Sequence, residues 1–202
     1  MTRPALFVTG AARSGTTLLE KFLCSHPRLS VLSQPLPLLF VETKQAFLTA
    51  RAAGDDRYPL GTLFGETLYR RADFSSYLDG WRGQREELVD LAQRMENFSG
   101  QYTRLDRARW AGSLADLQLG FAPNLRHWYR AFGHREDADS WGGKESFCEE
   151  YLPHLLDHGF ACLFVIRDPR AVVASLSHGH GRTYAGRLKP VLWNVRQWRR
   201  AS

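Results

Sequence analysis

Cysteine is scarce: the 202 residues hold three, Cys24, Cys148 and Cys162, with no CxxC pair. An odd, scattered set excludes a disulfide scaffold and a cysteine zinc site, and it points to a reduced, cytoplasmic compartment. Long apolar runs are also missing. No window reaches eighteen apolar residues, so no membrane span is expected, and the apolar run before Gly10 is too short for the core of a secretion signal. The body of the chain lacks an excess of either charge. Residues 1–178 hold 21 basic and 21 acidic side chains, and the net charge of +6 comes entirely from residues 179–202. Nucleic-acid binding would rest on that tail alone, so no nucleic-acid partner is expected.

What is present is an ordinary globular composition, 44% hydrophobic and 24% charged, which excludes collagen-like and disordered chains. The length suits a single domain over residues 1–202. Ala5 to Val8 read as a strand, Gly10 and Gly15 bracket a polar turn, and TTLLEKFL spaces its apolar residues as a helix does. LSVLS (Leu29 to Ser33) predicts a second strand ending at the turn residues Gln34-Pro35. Leu36 to Ala52 predicts a helix. Leu88, Leu91, Ala92, Met95 and Phe98 recur at helical spacing, and no good strand is expected between Pro37 and about Gly133.

A further helix is expected from about Cys148 to His158. The continuous apolarity of Phe160 to Arg167 predicts a central strand buried on both faces. Asp168 is placed to cap the next helix, with Pro169 at its first position. Strands alternating with helices predict an α/β fold with a mainly parallel sheet, whose ligands sit beyond the carboxyl ends of the strands.

Two strand-to-helix joints carry chemistry. In the first, GAARSGTTLL (Gly10 to Leu19), the backbone N–H groups of Ser14 to Thr17 and the helix dipole are expected to face one anion. Gly10 and Gly15 have the spacing of an ATPase phosphate loop, but Thr16 stands where that signature requires lysine. Arg13 supplies a cation instead. The second joint is RDPRAVVAS, with Arg167 at the strand end and Ser175 about two turns into the helix.

Together these residues resemble the sulfotransferases that use 3′-phosphoadenylyl sulfate (PAPS), whose motifs read like GxxRSGTTLL and RDPRxxxxS. The resemblance runs from Ala5 to about Trp198. It implies a P-loop-like three-layer fold, with 37–133 a helical insertion covering the acceptor side. It further implies that Arg13, Ser14, Gly15, Thr16 and Thr17 hold the 5′-phosphosulfate of PAPS, and that Arg167 and Ser175 hold its 3′-phosphate. A sulfuryl group carries less charge than a phosphoryl group, so positioned donors and cations suffice, and no metal ligands are expected.

On the acceptor side, Gln34 stands where the family often has a glutamate base; it orients by hydrogen bonding but takes no proton at neutral pH. Lys144, in WGGKES, matches the family's lysine upstream of the second motif and is expected to steady the bridging oxygen. Glu145 and Glu42 are candidate bases. Trp81, Trp110, Trp128 and Tyr58 are expected around an acceptor pocket for a small molecule or glycan. HGHG (His178 to Gly181) reads as a loop rather than a metal site. Family members usually continue with another strand, so a truncated domain is expected, with the basic tail Arg182 to Arg200 an exposed helix. A nucleotide phosphotransferase, and a nucleotide-binding chain without catalysis, use the same cradle and stay open as alternatives.

Overall fold

The computed structural model describes residues 4–11, 13–50, 58–59, 68–69, 71–98 and 101–178. The expected helix in the tail at Arg182 to Arg200 and most of HGHG lie outside these residues. The architecture is α/β, with a four-stranded, all-parallel sheet flanked by helices. Strands β1 (Leu6–Gly10), β2 (Leu29–Ser33), β5 (Ser140–Lys144) and β6 (Ala161–Val165) lie in the order β2-β5-β1-β6. Two further strands, β3 (Tyr58–Pro59) and β4 (Leu68–Tyr69), form a separate antiparallel pair in a region expected to hold no strand.

Side-chain alternation along β1 builds the layers. Leu6 and Val8 join Val31 on one face, where Leu19 and Leu23 of helix α1 (Thr16–Ser25) pack against them. Ala5 and Phe7 point the other way, into a much larger cluster. That cluster is filled by α2 (Pro37–Ala50), α3 (Arg71–Asp79), α4 (Arg85–Glu96), α5 (Arg107–Ser113), α6 (Phe121–Phe132) and α7 (Leu152–Asp157). Leu88, Leu91, Ala92 and Met95 form the buried stripe of α4 as their spacing predicts, whereas Phe98 lies beyond the helix and is partly exposed. On α1 the apolar residues split between two faces. Leu19 and Leu23 meet the sheet, while Leu18 and Phe22 are 62% and 66% exposed.

Two strands differ from expectation. Within the described sheet β6 is an outer strand, paired with β1 alone, and Leu163 and Ile166 are exposed. Its apolar run marks a strand but carries no information on how many neighbours that strand has. The inner positions fall to β1 and to β5, whose Gly142 and Gly143 disguise it, since glycine is depleted in strands. Close approach explains both residues. A Cβ at Gly142 would overlap the Leu6 carbonyl oxygen, and one at Gly143 would overlap the Tyr129 ring.

Candidate active site

Strands β1, β5 and β2 end at Gly10, Lys144 and Ser33, and the chain leaves all three on the same side of the sheet. Past these ends lies an open cavity of about 380 Å³, lined by Ala11, Arg13, Gly15, Thr16, Thr17, Gln34, Tyr102, Ser146, Phe147, Arg167 and Ser175. Two arginines and no carboxylate line it, so the cavity is built for an anion. Gly15 adopts φ +106°, a left-handed conformation natural to glycine, and lets the chain turn into α1. No side chain caps α1, which leaves its first N–H groups and the positive end of its dipole at the cavity.

The two sequence motifs meet here. Arg13 Nε donates to Ser175 Oγ at 3.1 Å, and Arg167 Nη1 donates to the Arg13 carbonyl oxygen at 3.1 Å. Ser175 is carried by α8 (Pro169–His178), which starts as its sequence predicts. The Asp168 carboxylate accepts the Arg170 N–H at 2.8 Å and pairs with the Arg170 guanidinium, and these bonds hold its pKa down to about 2.

Ser14 behaves differently from expectation. Its N–H closes a turn onto the Ala11 carbonyl at 3.2 Å, so it is spent within the loop. Its buried hydroxyl has no hydrogen-bond partner among the described residues. A Cβ at Gly15 would meet nothing within 4 Å, so the cradle is open where an anion would enter. An open glycine turn, an uncapped helix start and two cations fit a phosphate group.

Lys144 is buried behind the cavity rather than lining it. Its ammonium donates to Gln34 Oε1 at 2.8 Å, Ser146 Oγ donates to the same oxygen at 3.3 Å, and the Tyr102 ring lies 5.3 Å from Nζ. Burial pushes the Lys144 pKa down. Gln34 sits at φ +43° at the end of β2, its N–H bonded to the Lys144 carbonyl at 2.7 Å, and so brings its side chain to the cavity wall.

Glu145, one residue on, points the opposite way. It is buried off the cavity, its Oε1 accepts the Leu36 N–H at 2.8 Å, and burial raises its pKa to about 8. That position gives it no route to an acceptor in the cavity. Glu42, on α2, is paired with Arg94 away from the cavity.

A family model described as the sulfotransferase family matches residues 4–201. The chain belongs to the sulfotransferase family. No curated protein and no solved structure matches it. Membership makes it an enzyme of the transferase kind, active in sulfuryl transfer, on the parallel α/β scaffold described above.

Sequence reading missed Tyr102 and Phe147 in this sulfotransferase cavity. Tyr102 is set there by a non-local pairing: Ser33 N–H donates to Thr103 Oγ1 at 2.9 Å, and Thr103 N–H donates to the Ser33 carbonyl at 2.8 Å. Phe147 is held by buried Lys44, whose ammonium bonds the Phe147 carbonyl at 2.6 Å and the Glu150 carboxylate at 2.9 Å. No local pattern announces either contact.

The aromatic residues expected around an acceptor sort differently. Trp110 and Trp128 are completely buried in the large cluster, with ring centroids 5.1 Å apart. Trp81 lines a separate cavity of about 490 Å³ between α2, α3 and α4, and the Tyr58 side chain lies outside the described residues. Among the described residues no helix is long and apolar enough to cross a membrane. Cys24, Cys148 and Cys162 are all free.

Proposed function

We propose that this sulfotransferase takes its sulfuryl group from PAPS and passes it to a hydroxyl or amine of a small-molecule or glycan acceptor. The single observation that carries the reading is the meeting of both motifs on one cationic cavity through the Arg13–Ser175 and Arg167–Arg13 hydrogen bonds. When bound, PAPS supplies an activated sulfuryl group on a phosphate leaving group.

The chain's own residues hold and orient. Gly15, Thr16 and Thr17, at the positive end of α1, and the Arg13 guanidinium hold the 5′-phosphosulfate end. Arg167 and Ser175 hold the 3′-phosphate. The Ser175 hydroxyl accepts from Arg13 and so keeps its own proton to donate. Gln34 and Tyr102 shape the wall on which the acceptor rests. Lys144 acts from behind Gln34: it fixes the amide and adds a positive charge one hydrogen bond from the cavity, where negative charge grows on the leaving phosphate.

The test is calorimetry and thermal melting with adenosine 3′,5′-bisphosphate against ATP with magnesium. Binding of the bisphosphate in metal-free buffer, with a raised melting temperature, is the expected result. Stabilisation by ATP and magnesium alone would overturn the reading in favour of a phosphotransferase.

A further inference from the structure

At the other end of the sheet, where α7 leads into the start of β6, two histidines and an aspartate come together. His154 and His158 stand four residues apart, with ring centroids separated by 4.2 Å, and Asp79 closes α3 beside them. Asp79 Oδ1 lies 3.5 Å from His154 Nδ1 and 3.3 Å from His158 Nε2. One donor atom from each residue lies within 4.8 Å of the others.

The hydrogen bonding of His158 makes this arrangement informative. Its Nδ1 lies 2.8 Å from the His154 carbonyl oxygen. A carbonyl only accepts, so Nδ1 carries a proton and Nε2 is the nitrogen turned to the Asp79 carboxylate. An Nδ1–H bonded to a backbone carbonyl is the usual support of a metal-bound histidine.

The distances match a metal better than a direct hydrogen bond, which would draw nitrogen and oxygen to about 2.8 Å. Zinc bonds of about 2.0–2.2 Å to nitrogen and oxygen in a tetrahedron place neighbouring ligand atoms about 3.3–3.5 Å apart. Both oxygen–nitrogen separations fall in that range.

We propose that Asp79, His154 and His158 bind a divalent zinc-class ion that ties the end of α3 to α7. Two imidazoles and one carboxylate suit zinc and leave a fourth position for water. Solvent reaches the site through His158, which also lines an open cavity of about 400 Å³ with Gln118 and His127. Arg126, which lines the same cavity, donates to the His158 carbonyl oxygen. The site lies at the opposite end of the strands from the cationic cavity, so an ion bound there is remote from the transfer reaction and bridges α3 to α7.

The experiment adds zinc chloride to tag-free, chelator-treated full chain and follows thermal unfolding, with cobalt(II) absorption as a second readout. At about a hundredfold excess over Kd, zinc is expected to raise the melting temperature by about 5–10 °C, and cobalt to give tetrahedral visible bands. Asp79→Asn and His158→Ala, both at solvent-accessible positions, should fold without zinc and lose both responses. No shift in the unaltered chain would overturn the proposal. So would an undiminished response in either variant, which would place the metal on other histidines such as His178 and His180.

Discussion

The cationic cavity and the helical layer of the large cluster are built on opposite terms. The cavity is open and cationic; Arg13 and Arg167 are exposed and held by two single hydrogen bonds. The layer is dry and aromatic, with Phe40, Phe74, Phe121, Trp110, Trp128, Tyr129 and Tyr151 almost wholly buried. Exposed charge is gathered at the cavity, and buried aromatic surface is gathered in the layer.

Substitutions should therefore separate the two regions cleanly. The largest effect belongs to the aromatic layer. Trp128→Ala should lower unfolding stability by about 3–5 kcal/mol in denaturant titrations, while the folded fraction keeps its nucleotide affinity. A specific loss of nucleotide binding would break the separation.

Next comes Lys144, where the regions touch. Lys144→Met keeps the buried volume but removes the charge. It should cut turnover by about two orders of magnitude, the scale of one lost electrostatic donor, with donor affinity held within a few fold. Steady-state kinetics separate the two quantities. Equal losses in both would make Lys144 only a support for Gln34.

Glu145 gives the effect that is smallest per pH unit, and it is tied to pH. Its folded pKa of about 8 lies above its usual 4.5. The folded state thus binds more protons than the unfolded state between those values, and stability falls as pH rises from about 4.5 through 8. Glu145→Gln keeps an acceptor for the Leu36 N–H and should remove up to about 1.4 kcal/mol of that loss per pH unit. Melting curves from pH 5 to 8.5 check the sign; an unchanged slope would show that another group controls it.

Both motifs were legible because each is local. The glycine turn, Arg13, Arg167 and Ser175 occupy short stretches whose spacing implies their geometry, and LSVLS corresponds to β2 residue for residue. Features that depend on distant partners were not legible. The glycines of β5 hid an inner strand because the Leu6 carbonyl and the Tyr129 ring that require them lie elsewhere in the chain. Lys144 and Glu145 were both expected at the reacting centre, but the chain sends one behind the cavity and the other into the core. Tyr102 depends on pairing of Thr103 with Ser33, and Asp79 reaches His154 and His158 only through the packing of α3 near α7.

The most direct test of the cavity uses Arg167→Ala and two ligands in parallel titration calorimetry. One ligand, adenosine 3′,5′-bisphosphate, has the 3′-phosphate; the other, adenosine 5′-phosphosulfate, lacks it. Loss of charge-assisted hydrogen bonds should weaken the bisphosphate by about 10–100-fold. The phosphosulfate, held at the α1 end of the cavity, should stay within a few fold of its affinity for the unaltered chain. Equal losses for both ligands would contradict this account and leave Arg167 with only its hydrogen bond to the Arg13 carbonyl, a support of the loop rather than a reader of the nucleotide.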